Sequence, residues 1–205
     1  MKNRKKNILE LALKPGHLHF AILILILSIF SLNAEIDWDQ RLSSNIREDL
    51  KNPPMDFAMQ GITVLGSKEF ALGANLALYT FGNSELDDKV EIATISLATG
   101  AIVTTSLKAI VNRKRPLQGN NEKTSRWDSS FPSGHTTSAF AMATAYGLQD
   151  RELLAPLLIG AAAVGFSRIY LGEHYFLDVI IGAIIGTASA IVVYQFKDEI
   201  NDALP

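Results

Sequence analysis

The chain has 205 residues, 48% of them hydrophobic, with a formal net charge of −2 and no cysteine. That composition excludes disulfides, thiolate nucleophiles and Cys-based metal sites, and the near-neutral balance without a basic, aromatic-interleaved patch excludes a nucleic-acid partner. The apolar residues gather in long runs between charged connectors, so the expected fold is all-α, a single membrane-embedded domain over residues 1–205.

Met1 to Pro15 places Lys2, Arg4, Lys5, Lys6 and Lys14 around Ile8, Leu9, Leu11 and Leu13. This predicts a short amphipathic helix on the cytoplasmic membrane surface, ended by Pro15-Gly16. Leu18 to Leu32 is the first predicted span. A cleaved leader is the alternative, but Leu32-Asn33-Ala34 is a poor cleavage site and further spans follow. Glu35 to Asn52 is a polar connector carrying Trp38 where an interfacial aromatic would sit.

After Pro53-Pro54, Met55 to Leu65 predicts an interfacial helix. Gly66-Ser67-Lys68-Glu69 then breaks the chain before a second span from about Phe70 to Phe81. Such a break is tolerated at membrane depth only against protein or water. Asn83 to Asp88 is a turn-rich loop, and Val90 to Val111 the third span. A basic polar loop runs from Asn112 to Ser130. Pro132 to Leu148 is the fourth span, Leu153 to Ile169 the fifth, and Tyr170 to Tyr175 a tight connection. Phe176 to Phe196 is the sixth, in which Gly182, Gly186 and Ala190 recur four apart and permit close helix contact.

A bundle of six transmembrane helices puts both termini on one side, and the N-terminal lysines make that side the cytoplasm. The loops 35–52, 112–130 and 170–175 then face outward. They are themselves basic, against the usual charge rule, so the outward arginines need a separate role.

One such role emerges at the span ends. Phe131-Pro132-Ser133-Gly134-His135 opens the fourth span: Pro132 suits the first helical position, and the amides around Ser133, Gly134 and His135 are expected to point outward at the positive helix end. That is an anion site or an ordinary helix start, and these residues alone do not decide. On the same face lie Lys108, Arg115, Arg168, His174 and Asp178. His174 and Asp178 are four apart, so on a helix the carboxylate can orient the imidazole and leave its other nitrogen free as a nucleophile. Lys108, Arg115 and Arg168 suit the oxygens of a phosphoryl group. Arg113, Lys114, Lys123 and Arg126 are assigned to lipid-headgroup anchoring.

Lys108-x6-Arg115-Pro116, Pro132-Ser133-Gly134-His135 and Ser167-Arg168-x5-His174-x3-Asp178 together resemble the three-part signature of the type 2 phosphatidic acid phosphatase superfamily, spread over residues 108–178. The resemblance implies that His174 is the nucleophile forming a phosphohistidine, with Asp178 orienting it. His135 then serves the leaving group and afterwards water. Lys108, Arg115, Ser133, Gly134 and Arg168 bind the phosphoryl oxygens.

It also implies a multi-pass cell-membrane lipid phosphatase whose active site faces outward. No metal or other cofactor is expected, since fixed cations supply the neutralisation. Phosphatidylglycerol phosphate, phosphatidic acid and an isoprenyl pyrophosphate are the implied substrates. A lipid A-type phosphatase or phosphotransferase of the same superfamily is the alternative, and a non-catalytic scaffold stands further off. The expected partners are the lipid phosphate and membrane lipids, with no obligate protein partner.

Overall fold

A computed structural model describes residues 37–117 and 125–203, and all regular elements among them are helical. The basic N-terminal segment, the first predicted span and part of the 112–130 loop lie outside the described residues.

Asp37–Asp49 forms the first helix, α1, where the sequence pointed to a polar connector. Its apolar residues Trp38, Leu42 and Ile46 do recur four apart, but Trp38 and Leu42 lie exposed. Its buried positions are instead polar: Asp39 and Ser43, one turn apart, with the Ser43 hydroxyl donating to the Asp39 carbonyl at 2.7 Å. Helix α2 (Pro53–Val64) starts with two prolines, whose missing amides would be unpaired at that position, and with the Asn52 side chain accepting from the Met55 amide at 3.0 Å. It stops at Leu65, and α3 (Lys68–Phe81) begins afresh after Ser67, whose hydroxyl accepts from Phe70. The intervening Gly66 is pressed into protein: a Cβ there would overlap the Val164 side chain and lie 2.9 Å from the His135 carbonyl. Gly66 at the break therefore faces protein, while the Lys68 and Glu69 side chains are exposed.

Helix α4 (Ser84–Val111) is longer than expected. The stretch read as a loop, Asn83 to Asp88, is its first turn. The Asn83 side chain accepts from the Leu86 amide, while Glu85 and Asp87 favour the positive end of the dipole. Apolar periodicity starts only at Val90, which is why the acidic turn looked like a connection. Beyond a short 3-10 turn (Arg126–Asp128) come α5 (Gly134–Gln149), α6 (Arg151–Tyr170), α7 (Phe176–Gln195) and a short α8 (Lys197–Ala203).

Among the described residues, α4, α6 and α7 are long and apolar enough to cross a membrane. Their outer faces carry Ile102, Ile110 and Ile159, each about 70% exposed, as lipid-facing residues would be. Helix α5, the fourth expected span, has 16 residues and is only about 24 Å long. It sits at the centre, packed on α7, α6 and α4. That position explains its composition, because buried Thr136, Thr137, Ser138 and Thr144 lie among small apolar side chains and not against lipid.

Glycines bring the helices close enough for this. A Cβ on Gly182 would lie 2.7 Å from the Ser133 carbonyl, and one on Gly186 would overlap the Thr137 carbonyl and lie 2.8 Å from the Ala141 amide. The four-residue repeat of small residues on α7 is thus spent inside the chain, on α5. Thr104 of α4 reaches the same helix, donating to the Thr137 hydroxyl at 3.0 Å.

Candidate active site

Ser133 caps α5. Its hydroxyl accepts from the Thr136 amide at 3.4 Å and from the Thr136 hydroxyl at 2.9 Å. Pro132 therefore stands ahead of the cap and not in the first helical position, because a serine oxygen can take an orphan amide and a proline cannot. The Ser133 amide is not free either: it donates to the Asp178 carbonyl at 3.0 Å. The amides lacking an acceptor in their own helix are those of Gly134 and His135, the first helical residues. Gly134 leaves open space beside them, since a Cβ there would meet only Thr104, at 4.0 Å.

The turn between α6 and α7 presents His174. Gly172 takes φ +70°, a left-handed conformation that favours glycine, and the Glu173 and His174 amides both hook back onto the Arg168 carbonyl. The imidazole is 2% exposed. Its Nδ1 lies 2.6 Å from the Ser130 carbonyl, while the nearer Asp178 oxygen is 3.8 Å away. A carbonyl only accepts, so Nδ1 carries the proton and Nε2 keeps the lone pair. Direct orientation of the ring thus comes from Ser130, a residue no motif points to, and Asp178 acts as a buried charge beside it. Asp178 spends its oxygens on the Tyr175 amide, at 2.9 Å, and on Arg113.

Burial pushes the His174 imidazole down to about 4, with the neighbouring Asp178 carboxylate partly opposing that shift. Between that value and the ordinary 6.5 the unfolded chain binds more protons, so His174 stabilises the fold above pH 6.5 and this contribution is lost as pH falls through 4. The thermal unfolding midpoint in detergent should therefore drop between pH 7 and 4.5, and His174→Asn should flatten that drop. An equal drop in both proteins would show that other groups cause it.

The cations converge nearby. Lys108 donates to the Ser129 carbonyl. Arg115 pairs with Asp128 at 2.7 Å and with Glu173. Arg168 donates to the Thr63 hydroxyl at 2.7 Å and has a second nitrogen 3.5 Å from the same Glu173 oxygen. Glu173 thus stands between the two arginines. Two buried polar atoms in residues bonded to His174, Ser130 Oγ and Arg168 Nε, have no hydrogen-bond partner.

A cavity of about 350 Å³ opens beside these groups, lined by Lys108, Arg115, Gly134 and His135, with Trp127 and the Lys68–Glu69 pair also in its wall. The latter two are 3.8 Å apart, so the helix break both pairs with itself and reaches the pocket. Ser133, Arg168, His174 and Asp178 are buried.

Arg113 had been assigned to headgroup anchoring, and the structure corrects that. Its guanidinium bridges Asp178 at 2.7 Å and Asp39 at 2.8 Å and lies 4.0 Å from the centre of the Tyr175 ring. Nothing in the sequence couples residues this far apart, and a run of Arg113, Lys114 and Arg115 hides which base turns inward.

Comparison with known proteins bears on this arrangement directly. The sequence model of the PAP2 superfamily matches residues 90–202, more than half of the chain and all of the groups above from Lys108 onward. The chain belongs to the PAP2 superfamily. It is 31% identical to the undecaprenyl-diphosphatase BcrC of Bacillus subtilis over 72% of this chain and 77% of that protein. It is 28% identical to phosphatidylglycerophosphatase B of the same organism, covering 92% and 97% of the two chains.

Among solved structures, Aquifex aeolicus LpxE matches with a TM-score of 0.65 and 28% identity, over 76% of this chain and 93% of that one. A PAP2-type phosphatidylglycerolphosphate phosphatase from Bacillus subtilis shares the fold, with a TM-score of 0.72 at 23% identity over 88% and 96%. This PAP2 chain is accordingly a membrane protein and a phosphatase of lipid phosphates.

Proposed function

We propose that this PAP2 chain hydrolyses an isoprenyl diphosphate or a phosphatidylglycerol phosphate through a phosphohistidine on His174, without a metal ion. The observation that carries the mechanism is the buried His174, its Nδ1 committed to the Ser130 carbonyl and its neighbours Arg115 and Arg168 gathered on one carboxylate. A phosphoryl group replaces Glu173 between the arginines, and Lys108 and the Gly134 and His135 amides hold its remaining oxygens. Ser133 keeps that turn in place.

The His174 Nε2 lone pair attacks phosphorus, forming the P–N bond as the bond to the lipid oxygen breaks, and His135 gives that oxygen a proton. His135 then takes a proton from water. The water oxygen attacks phosphorus, the P–N bond breaks and phosphate leaves. Asp178 stabilises the positive charge on the phosphorylated ring. The fixed cations Lys108, Arg115 and Arg168 carry the neutralisation.

The span assignment follows the same reading. Leu18 to Leu32, the broken pair α2 and α3, and the central α5 join α4, α6 and α7 as six spans, with both termini cytoplasmic and the active site outward.

Phosphate release by the detergent-purified protein across undecaprenyl diphosphate, phosphatidylglycerol phosphate, phosphatidic acid and a lipid A phosphate tests this. Release should be fastest with the first two and unchanged by chelator. Loss of turnover with chelator and its return with magnesium would refute the metal-free mechanism. A lipid A phosphate turned over fastest would move the chain to the branch of its LpxE neighbour.

A further inference from the structure

Asp39 and Arg113 touch none of the phosphoryl-binding groups, yet both are tied to the segment that holds His174. Asp39 is fully buried. One of its oxygens receives Arg113 at 2.8 Å, and the other accepts the Leu177 amide at 2.9 Å. Ser43, one turn along α1, accepts the Phe176 amide at 2.9 Å. The first amides of α7 are therefore capped by side chains of another helix, more than 130 residues away in sequence. Arg113 closes the loop by joining Asp39 to Asp178.

We propose that Asp39 and Arg113 are positioning residues, which clamp the start of α7 to α1 and thereby fix the place and charge of Asp178 beside His174. The inference rests on the assignment of His174 as nucleophile. Two ionised carboxylates share one guanidinium, and removing that guanidinium leaves both buried charges uncompensated. The other groups around His174 are the Ser130 carbonyl, Lys108 of α4, His135 of α5, and Arg168 with its partner Glu173 at the end of α6. Arg113 also holds the Ser130 segment through its backbone, its carbonyl accepting the Ser130 amide at 2.8 Å and its amide donating to the Ser129 hydroxyl at 2.9 Å, and both bonds remain available in Arg113→Gln.

The two charges push His174 in opposite directions. Asp39→Asn leaves the guanidinium wholly to Asp178, so the imidazole becomes less basic. Arg113→Gln leaves Asp178 unneutralised, so it becomes more basic. The double variant restores the parental net charge of the cluster but not the clamp. A purely architectural role would give no such opposition.

The test uses the full chain in detergent, labelled with 15N-histidine. There are four histidines in the sequence, and His174→Ala assigns the signal. We expect opposite shifts of the His174 titration in the two single variants and near-parental titration in the double. We also expect kcat to fall on the order of tenfold to a hundredfold in all three, with KM within about threefold of the parent, as for a misplaced reacting group. Shifts of the same sign, no shift, or a double variant with parental kcat would overturn the inference. Phosphate release that survives His174→Ala sinks instead the nucleophile assignment, and with it the catalytic meaning of the clamp.

Discussion

Replacing His174 with alanine should abolish phosphate release from every lipid substrate, a loss on the order of 10⁴-fold or more in kcat, since nothing else in the site can take the covalent role. Its amide bonds to the Arg168 carbonyl do not need the side chain, so the turn and the cationic groups should survive. Product phosphate or vanadate should then bind almost as before while turnover is gone. The intermediate gives a second handle. With substrate labelled in the scissile phosphorus, the parent protein should carry an acid-labile label that the alanine variant lacks. His135→Ala should still acquire the label, and lose it slowly, if His135 is the group that delivers water as proposed. If His174→Ala takes up label, or if His135→Ala takes up none with a substrate whose leaving group needs no proton, the division of labour between the histidines is wrong.

Gly186→Val should be the most damaging substitution far from the chemistry. A Cβ at Gly186 overlaps the Thr137 carbonyl and crowds the Ala141 amide and the Phe140 side chain. Two of those three neighbours are backbone, which cannot rotate away, so α7 must be driven off α5. Overpacking of this kind costs about 1–3 kcal/mol and often more where backbone is struck. The displacement also reaches the site, because α5 carries His135 at its start and α7 follows directly on His174. We expect a fall in the unfolding midpoint of several degrees in detergent, with a loss of kcat beyond the loss of folded protein. Gly61→Val, in a position where an added Cβ meets nothing within 4 Å, is the control and should change neither. Equal behaviour of the two variants would refute the close-packing account.

Much of this could be read from the chain. The helix break at Gly66, the glycine face of α7 and the gathering of Lys108, Arg115 and Arg168 around two histidines all follow from spacing and side-chain chemistry. What escaped has physical reasons. Helix α1 was missed because its one apolar row, Trp38, Leu42 and Ile46, is short and set among charges, while the positions it buries, Asp39 and Ser43, are polar and serve as caps. The first turn of α4 was missed because acidic residues that favour a helix start also favour a loop. Pro132 and the Ser133 amide were misplaced because the sequence shows which residues can start a helix, not which amide another helix claims. Ser130 and Arg113 escaped for a related reason: one acts through its backbone carbonyl, the other through a carboxylate 74 residues away.

Two helix N-termini meet at this site, and the chain treats them oppositely. Both present the positive end of a dipole, and either could hold an anion. At α7 the vacancies are filled from within, by Ser43, Asp39 and Asp178, so that end is closed to any visitor. At α5 the Gly134 and His135 amides stay unclaimed by their own helix, and both residues line the cavity. On the proposed mechanism, with one socket stoppered and one left open, an arriving phosphate has a single berth and His174 waits on the stoppered side. The direction of attack would then be written into which cap is occupied.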